Sequence, residues 1–424
     1  MSEDALASKR RADEEGSAEG SAPGKDDGAP SKRPRNTTST TTGIPTVSGV
    51  VSSLGTNHVS SGSPTSSSAA VGAGGGPRTI VTFNLNGGGP RLTNNWEELA
   101  AFLEENTADL VCFQEFRLPA KGVPKCKKDD DTGRKRGQLK DDTAADRKDI
   151  ALLQKTLMKL ARRLGYRVLM SLANYKYAGT AVLIRCDDTP DGRGVRADTC
   201  PAVDVFYNIT EDGELVKKHD REGRVIAIEY PSMTVVMLYV PNNGVKPESF
   251  KRREQWDSVL RGFVNRYVKR TGRTLVITGD LNVAHTDADL THPSYFKGMF
   301  PAATPRNSGQ PGCTPAEKER HSLLLESGGG LVDAYRHLHP VAAAAGGGSA
   351  GTNTEGITWR GTAGNQVAAS GRYYGKGMRI DYFLVSKSLA ARIKEVKVFG
   401  RGADREGFLG SDHSPLMLTL LPSS

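Results

Sequence analysis

Cysteine is scarce and scattered: Cys112, Cys126, Cys186, Cys200 and Cys313 are the only five in 424 residues, and no two form a CxxC pair. An odd count without paired spacing implies neither a disulfide framework nor a structural zinc site, and fits a reducing compartment. No apolar run reaches the length of a membrane span, and the N-terminus lacks the apolar core of a signal peptide. Large apolar side chains are also short overall, with 37% hydrophobic and 6% aromatic residues. That shortage is local. Residues 1–76 are mostly Ser, Thr, Gly, Ala and Pro, too poor in apolar surface to offset the entropy of ordering, so this segment is expected to be a disordered tail.

What is present begins with charge. The chain carries 57 Lys+Arg against 48 Asp+Glu, and the tail holds 7 and 8 of these, leaving 50 against 40 in residues 77–424. A basic folded region suggests a polyanionic partner such as nucleic acid. Within the tail, KRR at 9–11 and KRPR at 32–35 read as a nuclear address, while Glu3, Asp4, Asp13, Glu14 and Glu15 argue against a transit peptide, with a mitochondrial fraction left open.

From about residue 78 the pattern becomes α/β. Short apolar strands recur as TIVTFNLN, DLVCFQEF, GTAVLIR, RVIAIEY, TVVMLYV, TLVITGD, RIDYFLV and PLMLTLL. Helical patterns are expected over 96–106, 149–164 and about 248–270, the last two stopped by Gly165 and Gly272. Segments 119–148, 186–222 and 341–376 read as surface insertions in one large domain, since long loops cost little stability.

The strands share a peculiarity: each apolar run ends in polar residues. TFNLN delivers Asn84 and Asn86, CFQEF delivers Gln114 and Glu115, and LYVPN delivers Tyr239 and Asn242. ITGDLN delivers Asp280 and Asn282, RIDYF brings Arg379 and Asp381, and GSDHSP brings Asp412 and His413. A single such end is a turn. Six of them make a convergent site, because strand ends of a two-sheet sandwich cluster along one edge. Glu115, Asn86 and Asp412 are hard oxygen donors suited to Mg²⁺ or Mn²⁺. Asn84, Asn242 and Asn282 are neutral donors for a phosphodiester, with Arg117 and Arg379 adding charge. Asp381 is placed to fix the tautomer of His413. The set points to metal-assisted phosphoryl transfer without a protein nucleophile.

TFNLNG, CFQEFRL, YVPNNG, GDLNVAH, GLVDAYRHLHP, GITW, RIDYFLVS and GSDHSP, in this order, resemble the exonuclease III type of AP (apurinic/apyrimidinic) endonuclease, within the DNase I-like endonuclease/exonuclease/phosphatase superfamily. The resemblance spans about 78–421 apart from the three insertions. It implies a four-layer α/β sandwich and hydrolysis 5′ to an abasic site in duplex DNA, with 3′-phosphodiesterase and 3′–5′ exonuclease activity. Carried over by position, Glu115 resembles the principal Mg²⁺ ligand, and Asn86 fills a position where some members have Asp. Asp280 resembles the residue that orients or deprotonates the attacking water, with Asn282 beside it. Tyr239 resembles the active-site tyrosine, and Asp381 with His413 the orienting acid and phosphate-binding histidine. Asp412 matches either a metal ligand or a leaving-group acid, and a second metal would fall to Asp280, Asn282 and His413. Trp359, Met378 and Ile380 occupy the positions that wall the abasic pocket. A monomer is expected, with no membrane. The alternatives are another superfamily enzyme, acting on an inositol phosphate, sphingomyelin or RNA, and an inactive DNA-binding homologue.

Overall fold

The structure, a computed structural model, describes residues 75–118, 144–173, 176–186, 204–341, 355–361, 371–400 and 409–422. The expected tail, save its last two residues, lies outside these residues, as do the greater parts of the first and third expected insertions. In chain order the first strands are β1 (Thr79–Asn84), β2 (Leu110–Gln114), β3 (Tyr166–Ser171), β4 (Thr180–Arg185) and β5 (Asp204–Phe206). They are followed by β6 (Asn208–Ile209), β7 (Leu215–Val216), β8 (Val225–Glu229), β9 (Met233–Tyr239) and β10 (Thr274–Asp280). The last are β11 (Leu331–Asp333), β12 (Asp381–Ser386), β13 (Ile393–Val398) and β14 (Leu416–Leu420).

Two six-stranded sheets result, ordered β13-β14-β1-β2-β4-β3 and β11-β12-β10-β9-β8-β5, with β6 and β7 as a small separate ribbon. Their inner faces meet in one core, where Ile80, Leu110, Val182 and Leu418 oppose Ile226, Val235, Val276 and Phe383. The outer faces are covered by helices. On the first sheet Val81, Phe83, Val111 and Leu183 pack against α1 (Gly88–Asn94), α2 (Trp96–Glu105), α3 (Ala144–Lys155) and α4 (Leu157–Arg163). On the second, Val236, Leu275 and Ile277 pack against Leu260, Phe263, Val264 and Tyr267 of α5 (Pro247–Thr271). Successive residues such as Leu275, Val276 and Ile277 face opposite covered sides, which is why these strands read as continuous apolar runs. The fold is the expected four-layer sandwich.

Two expectations need correction. The helix expected over 149–164 is two helices broken at Thr156, whose φ of −106° and ψ of −95° are not helical. The Thr156 hydroxyl donates to the Leu152 carbonyl at 2.6 Å, a back-bond that competes with the helix ladder. Residues 186–222 are not wholly an insertion, since β5 pairs antiparallel with β8 and forms the edge of the second sheet. Three further α-helices are α6 (Pro293–Lys297), α7 (Pro315–Leu325) and α8 (Ala334–Leu338).

The topology fixes where the polar ends fall. β1 and β2 are parallel, joined by α1 and α2, and β9 and β10 are parallel, joined by α5. Each parallel pair therefore releases its C-terminal residues at one edge. In register, Asn84 lies beside Gln114, while Asp280 lies between Tyr239 on β9 and Asp381 on β12.

Candidate active site

Gly279 shows how tightly the edge is built. Its φ is +126°, and a Cβ there would sit 2.0 Å from the Leu238 carbonyl oxygen, so the residue before Asp280 tolerates no side chain. Beyond the strand ends, Asn86, Glu115, Arg117 and Asn282 all have positive φ, between 46° and 51°. Non-glycine residues adopt this region at a cost of roughly 1 kcal/mol or more each and only where the surroundings enforce it. The strand ends are thus built to aim particular side chains, which a passive turn does not require.

Those side chains meet. Asn84 Nδ2 donates to Asp280 Oδ2 at 2.9 Å and to Glu115 Oε1 at 3.2 Å, linking the two sheets. The Tyr239 hydroxyl donates to Glu115 Oε1 at 2.8 Å, and Arg117 pairs with Glu115 Oε2. Asn282 gives its backbone N–H to Asp280 Oδ1 at 2.8 Å and its side-chain amide to Asp280 Oδ2 at 3.2 Å, while its own Oδ1 accepts from Asn242 at 3.1 Å. His413 Nδ1 and Asp381 Oδ2 share a hydrogen bond of 2.8 Å, and His413 Nε2 lies 4.0 Å from Asp280 Oδ2. The backbone of Asn86 is held by Asn84 Oδ1 at 2.9 Å.

Electrostatics follow from burial. Asp280 is fully enclosed; desolvation and the neighbouring Asp381 push its carboxyl up to about 8 against the pull of His413. Burial disfavours a charged His413, but Asp381, Asp280 and Asp412 outweigh it and raise the imidazole to about 10. Burial likewise opposes charge on Glu115, yet Arg117, His413 and the hydrogen bonds from Tyr239 and Asn84 hold it below the usual carboxylate range. Glu115 is an anion, His413 a cation, and Asp280 a carboxyl poised near neutrality.

The donor set fits a divalent cation. Glu115 is anionic, Asp412 presents a buried Oδ1 with no hydrogen-bond partner, and the oxygen donors suit a hard ion. Single ligand atoms of Asp280, Asp381 and His413 also lie within 4.8 Å of one another. A metal held by that second group would use His413 in its neutral form, since an imidazolium has no lone pair to offer.

The remaining expected residues divide. Trp359, Met378 and Ile380 come together with Leu290, Phe296 and Tyr373 in one apolar cluster beside the site, and Trp359 is only half-buried. Trp359 Nε1 donates to Asp412 Oδ2 at 3.2 Å, a tie the sequence did not suggest. Arg379 is a correction. It is buried and clamped by Asp289 Oδ1 at 2.8 Å and Asp333 Oδ2 at 2.7 Å, so it braces the scaffold and offers nothing to a phosphate. Two hydroxyls were missed. Thr358 Oγ1 accepts the backbone N–H groups of Ile380 and Asp381, and Ser411 Oγ ties the Asn84 carbonyl to the His413 N–H. Both sit inside the quoted motifs, GITW and GSDHSP, which was their only signal.

Four acids (Glu115, Asp280, Asp381 and Asp412), a histidine paired with one of them and the carboxamides of Asn84, Asn242 and Asn282 meet at one edge of the two sheets, a set suited to handling a phosphodiester. The chain belongs to the Endonuclease/Exonuclease/phosphatase family, whose pattern it matches over residues 81–413. Within that family it is similar to a DNA-(apurinic or apyrimidinic site) endonuclease of Arabidopsis thaliana, 36% identical, the match covering 82% of this chain and 86% of that protein. It also resembles an exodeoxyribonuclease of Bacillus subtilis, 26% identical over 80% of this chain and 98% of that one. A 3′-5′ exonuclease from Neisseria meningitidis shares the fold with a TM-score of 0.53 and 24% identity, covering 81% and 99% of the two chains.

Proposed function

We infer that this chain is a DNA-repair AP endonuclease, hydrolysing the phosphodiester 5′ to an abasic nucleotide in duplex DNA. The products are a 3′-hydroxyl and a 5′-deoxyribose phosphate, and 3′-phosphodiesterase and 3′–5′ exonuclease activities accompany the main one. The observation that carries this reading is the meeting of Asp280, Asp381 and His413 with Glu115 through Asn84 and Tyr239. His413, held protonated by Asp381, binds the scissile phosphate and stabilises charge growing on it. Asp280, fixed by Asn84 and Asn282, orients the attacking water and, in its ionised form, takes its proton; a carboxyl raised to about 8 is the stronger base for being buried. Asn242 and Arg117 face the phosphate backbone, and Tyr239 stands by the leaving oxygen. Glu115, with Asn86 and Asp412, would hold Mg²⁺, which Mn²⁺ can replace; when bound, the ion polarises a phosphoryl oxygen. Trp359, Met378 and Ile380 would wall a pocket too small for a nucleotide that keeps its base.

A substrate panel tests the assignment. Abasic duplex is expected to be cut with the stated ends, while inositol phosphate, sphingomyelin and RNA are left intact. Turnover of one of those three with no cleavage of abasic DNA would transfer the chain to another branch of its family.

The enzyme is further proposed to act in the nucleus, because the tail carries KRR and KRPR. Deleting residues 1–76 removes no site residue. Cleavage in vitro should be unchanged while nuclear accumulation is lost; a tagged truncation still concentrated in nuclei would contradict the localisation alone.

A further inference from the structure

Tyr239 has a neighbour that the site does not explain. Arg224, one residue before β8, is buried with its guanidinium 4.5 Å from the centroid of the Tyr239 ring. The two residues are also locked through their backbones. Tyr239 N–H donates to the Arg224 carbonyl at 2.9 Å, and Arg224 Nη1 donates to the Tyr239 carbonyl at 3.0 Å. Arg224 Nη2 donates to the Tyr177 hydroxyl at 3.1 Å, with the Tyr177 ring centroid 5.5 Å away. The buried guanidinium is thus close to the Tyr239 ring and hydrogen-bonded to the Tyr177 hydroxyl, and a cation–π contact is strongest where the cation is desolvated.

The loop that delivers Arg224 is unusually fixed. The Asp220 carboxylate accepts the backbone N–H groups of Glu222, Gly223 and Arg224. Gly223 has φ of +63° and runs so close to β3 that a Cβ would lie 2.1 Å from the Ser171 carbonyl oxygen. His219 Nδ1 meets Ser171 Oγ at 2.9 Å. Glu222 then neutralises Arg224 and takes a second ion pair from Arg252 on α5. A chain of contacts therefore runs from α5 through Arg252, Glu222 and Arg224 to Tyr239, whose hydroxyl donates to Glu115.

We propose that Arg224 is a positioning residue for Tyr239: its guanidinium, braced by Glu222 and Tyr177, fixes the ring so that the phenol hydroxyl meets Glu115. The inference rests on the endonuclease reading for its catalytic consequence, though the fixing of the ring stands apart from it. Arg224 reaches the reaction only through Tyr239, so removing both residues costs no more than removing the tyrosine.

A double-mutant cycle tests the coupling. Single-turnover cleavage and affinity for abasic duplex are measured for wild type, Arg224→Met, Tyr239→Phe and the double variant. Arg224→Met should slow cleavage about 10- to 30-fold with little change in affinity, the range expected of a desolvated cation–π contact. In the Tyr239→Phe background the same change should cost less than about 3-fold. Equal losses in both backgrounds would overturn the proposal. Independently of activity, the 12 tyrosines are replaced by 3-fluorotyrosine and the Tyr239 signal assigned from the Tyr239→Phe spectrum. A single narrow resonance in the wild type should broaden or double in Arg224→Met, and an unaltered line shape would overturn the proposal even if the enzyme cuts another substrate. Should Arg224→Met fail to fold, Arg224→Lys enters both measurements, since it keeps the charge but loses the planar grip on the ring and the Tyr239 carbonyl.

Discussion

Asp280 and His413 sit 4.0 Å apart, and burial disfavours the charged form of both; it prevails at Asp280, helped by Asp381, whereas the surrounding acids outweigh it at His413 and raise the imidazole. In the proposed mechanism their contributions belong mainly to the transition state, where a water loses a proton and a phosphate gains charge. Asp280→Asn and His413→Asn should each lower kcat about 100- to 10,000-fold, the span of proton-transfer and oxyanion effects, while abasic-DNA affinity changes far less. Single-turnover kinetics with direct binding separates the two. Affinity falling in proportion to rate would assign both groups to ground-state positioning. At this scale the sequence was informative because a polar residue at either end of a buried apolar run stands out: Asn84, Glu115, Tyr239 and Asp280 close such runs, and Asp381 and His413 precede them. Arg379 was misread by the same logic. A charge next to a strand looks available until Asp289 and Asp333, 90 and 46 residues away, are seen to consume it. Thr358 and Ser411 were silent because their hydroxyls bind backbone, which leaves no trace in a pattern of charges.

At the scale of elements, the site depends on register. Asp280 faces Tyr239 and Asp381 across β9, β10 and β12, and a one-residue slip would turn each side chain to the opposite face. The Asp289–Arg379–Asp333 clamp holds the loop after β10 and the end of β11 against the residue leading into β12. Arg336 adds a second cation to Asp289; burial disfavours charge on that carboxylate, but Arg379 and Arg336 prevail and hold it well below the usual range. Arg379→Met leaves two buried carboxylates short of a partner, which should cost about 3–5 kcal/mol. A urea midpoint measures the loss. Weakened DNA binding with unchanged stability would instead restore Arg379 to the substrate face. The central strands were legible because both faces are covered, so they read as apolar runs. β13 (IKEVKV) and β3 (YRVLMS) escaped notice because they are edge strands bearing charge, as edges must to avoid pairing with other chains. The short β5, β6, β7 and β11 hold too few residues for any periodicity to emerge.

For the whole molecule, stability should carry a histidine signature on its acid side. His321 is buried on α7, its ring 5.0 Å from that of Tyr382 and 4.8 Å from that of His285. Desolvation first, then His285 and Arg379, hold its imidazole well below the ordinary value. The folded-state pKa lies under the unfolded value of about 6.5, so the unfolded chain binds the proton more readily. The contribution of His321 is thus fully present above about pH 6.5 and is lost progressively as pH falls toward the folded value. Urea midpoints should drop from pH 7 to pH 5.5, and less steeply in His321→Gln; equal slopes in the two proteins would remove His321 from the account.

All these scales converge on one claim: the polar strand ends form a cation-dependent phosphodiesterase centre around Glu115. The direct measurement is cleavage of an abasic duplex by the purified chain with Mg²⁺, with excess EDTA, and with Glu115→Gln in Mg²⁺, each alongside a melting temperature. Wild type should cut with Mg²⁺ and stop with EDTA. Glu115→Gln, which keeps the shape but loses the charge, should fold normally and be slower by several orders of magnitude, on the order of the 10³-fold or more expected when a metal's transition-state contribution is lost. Undiminished cleavage in EDTA, or a near wild-type rate from a folded Glu115→Gln protein, would contradict the account.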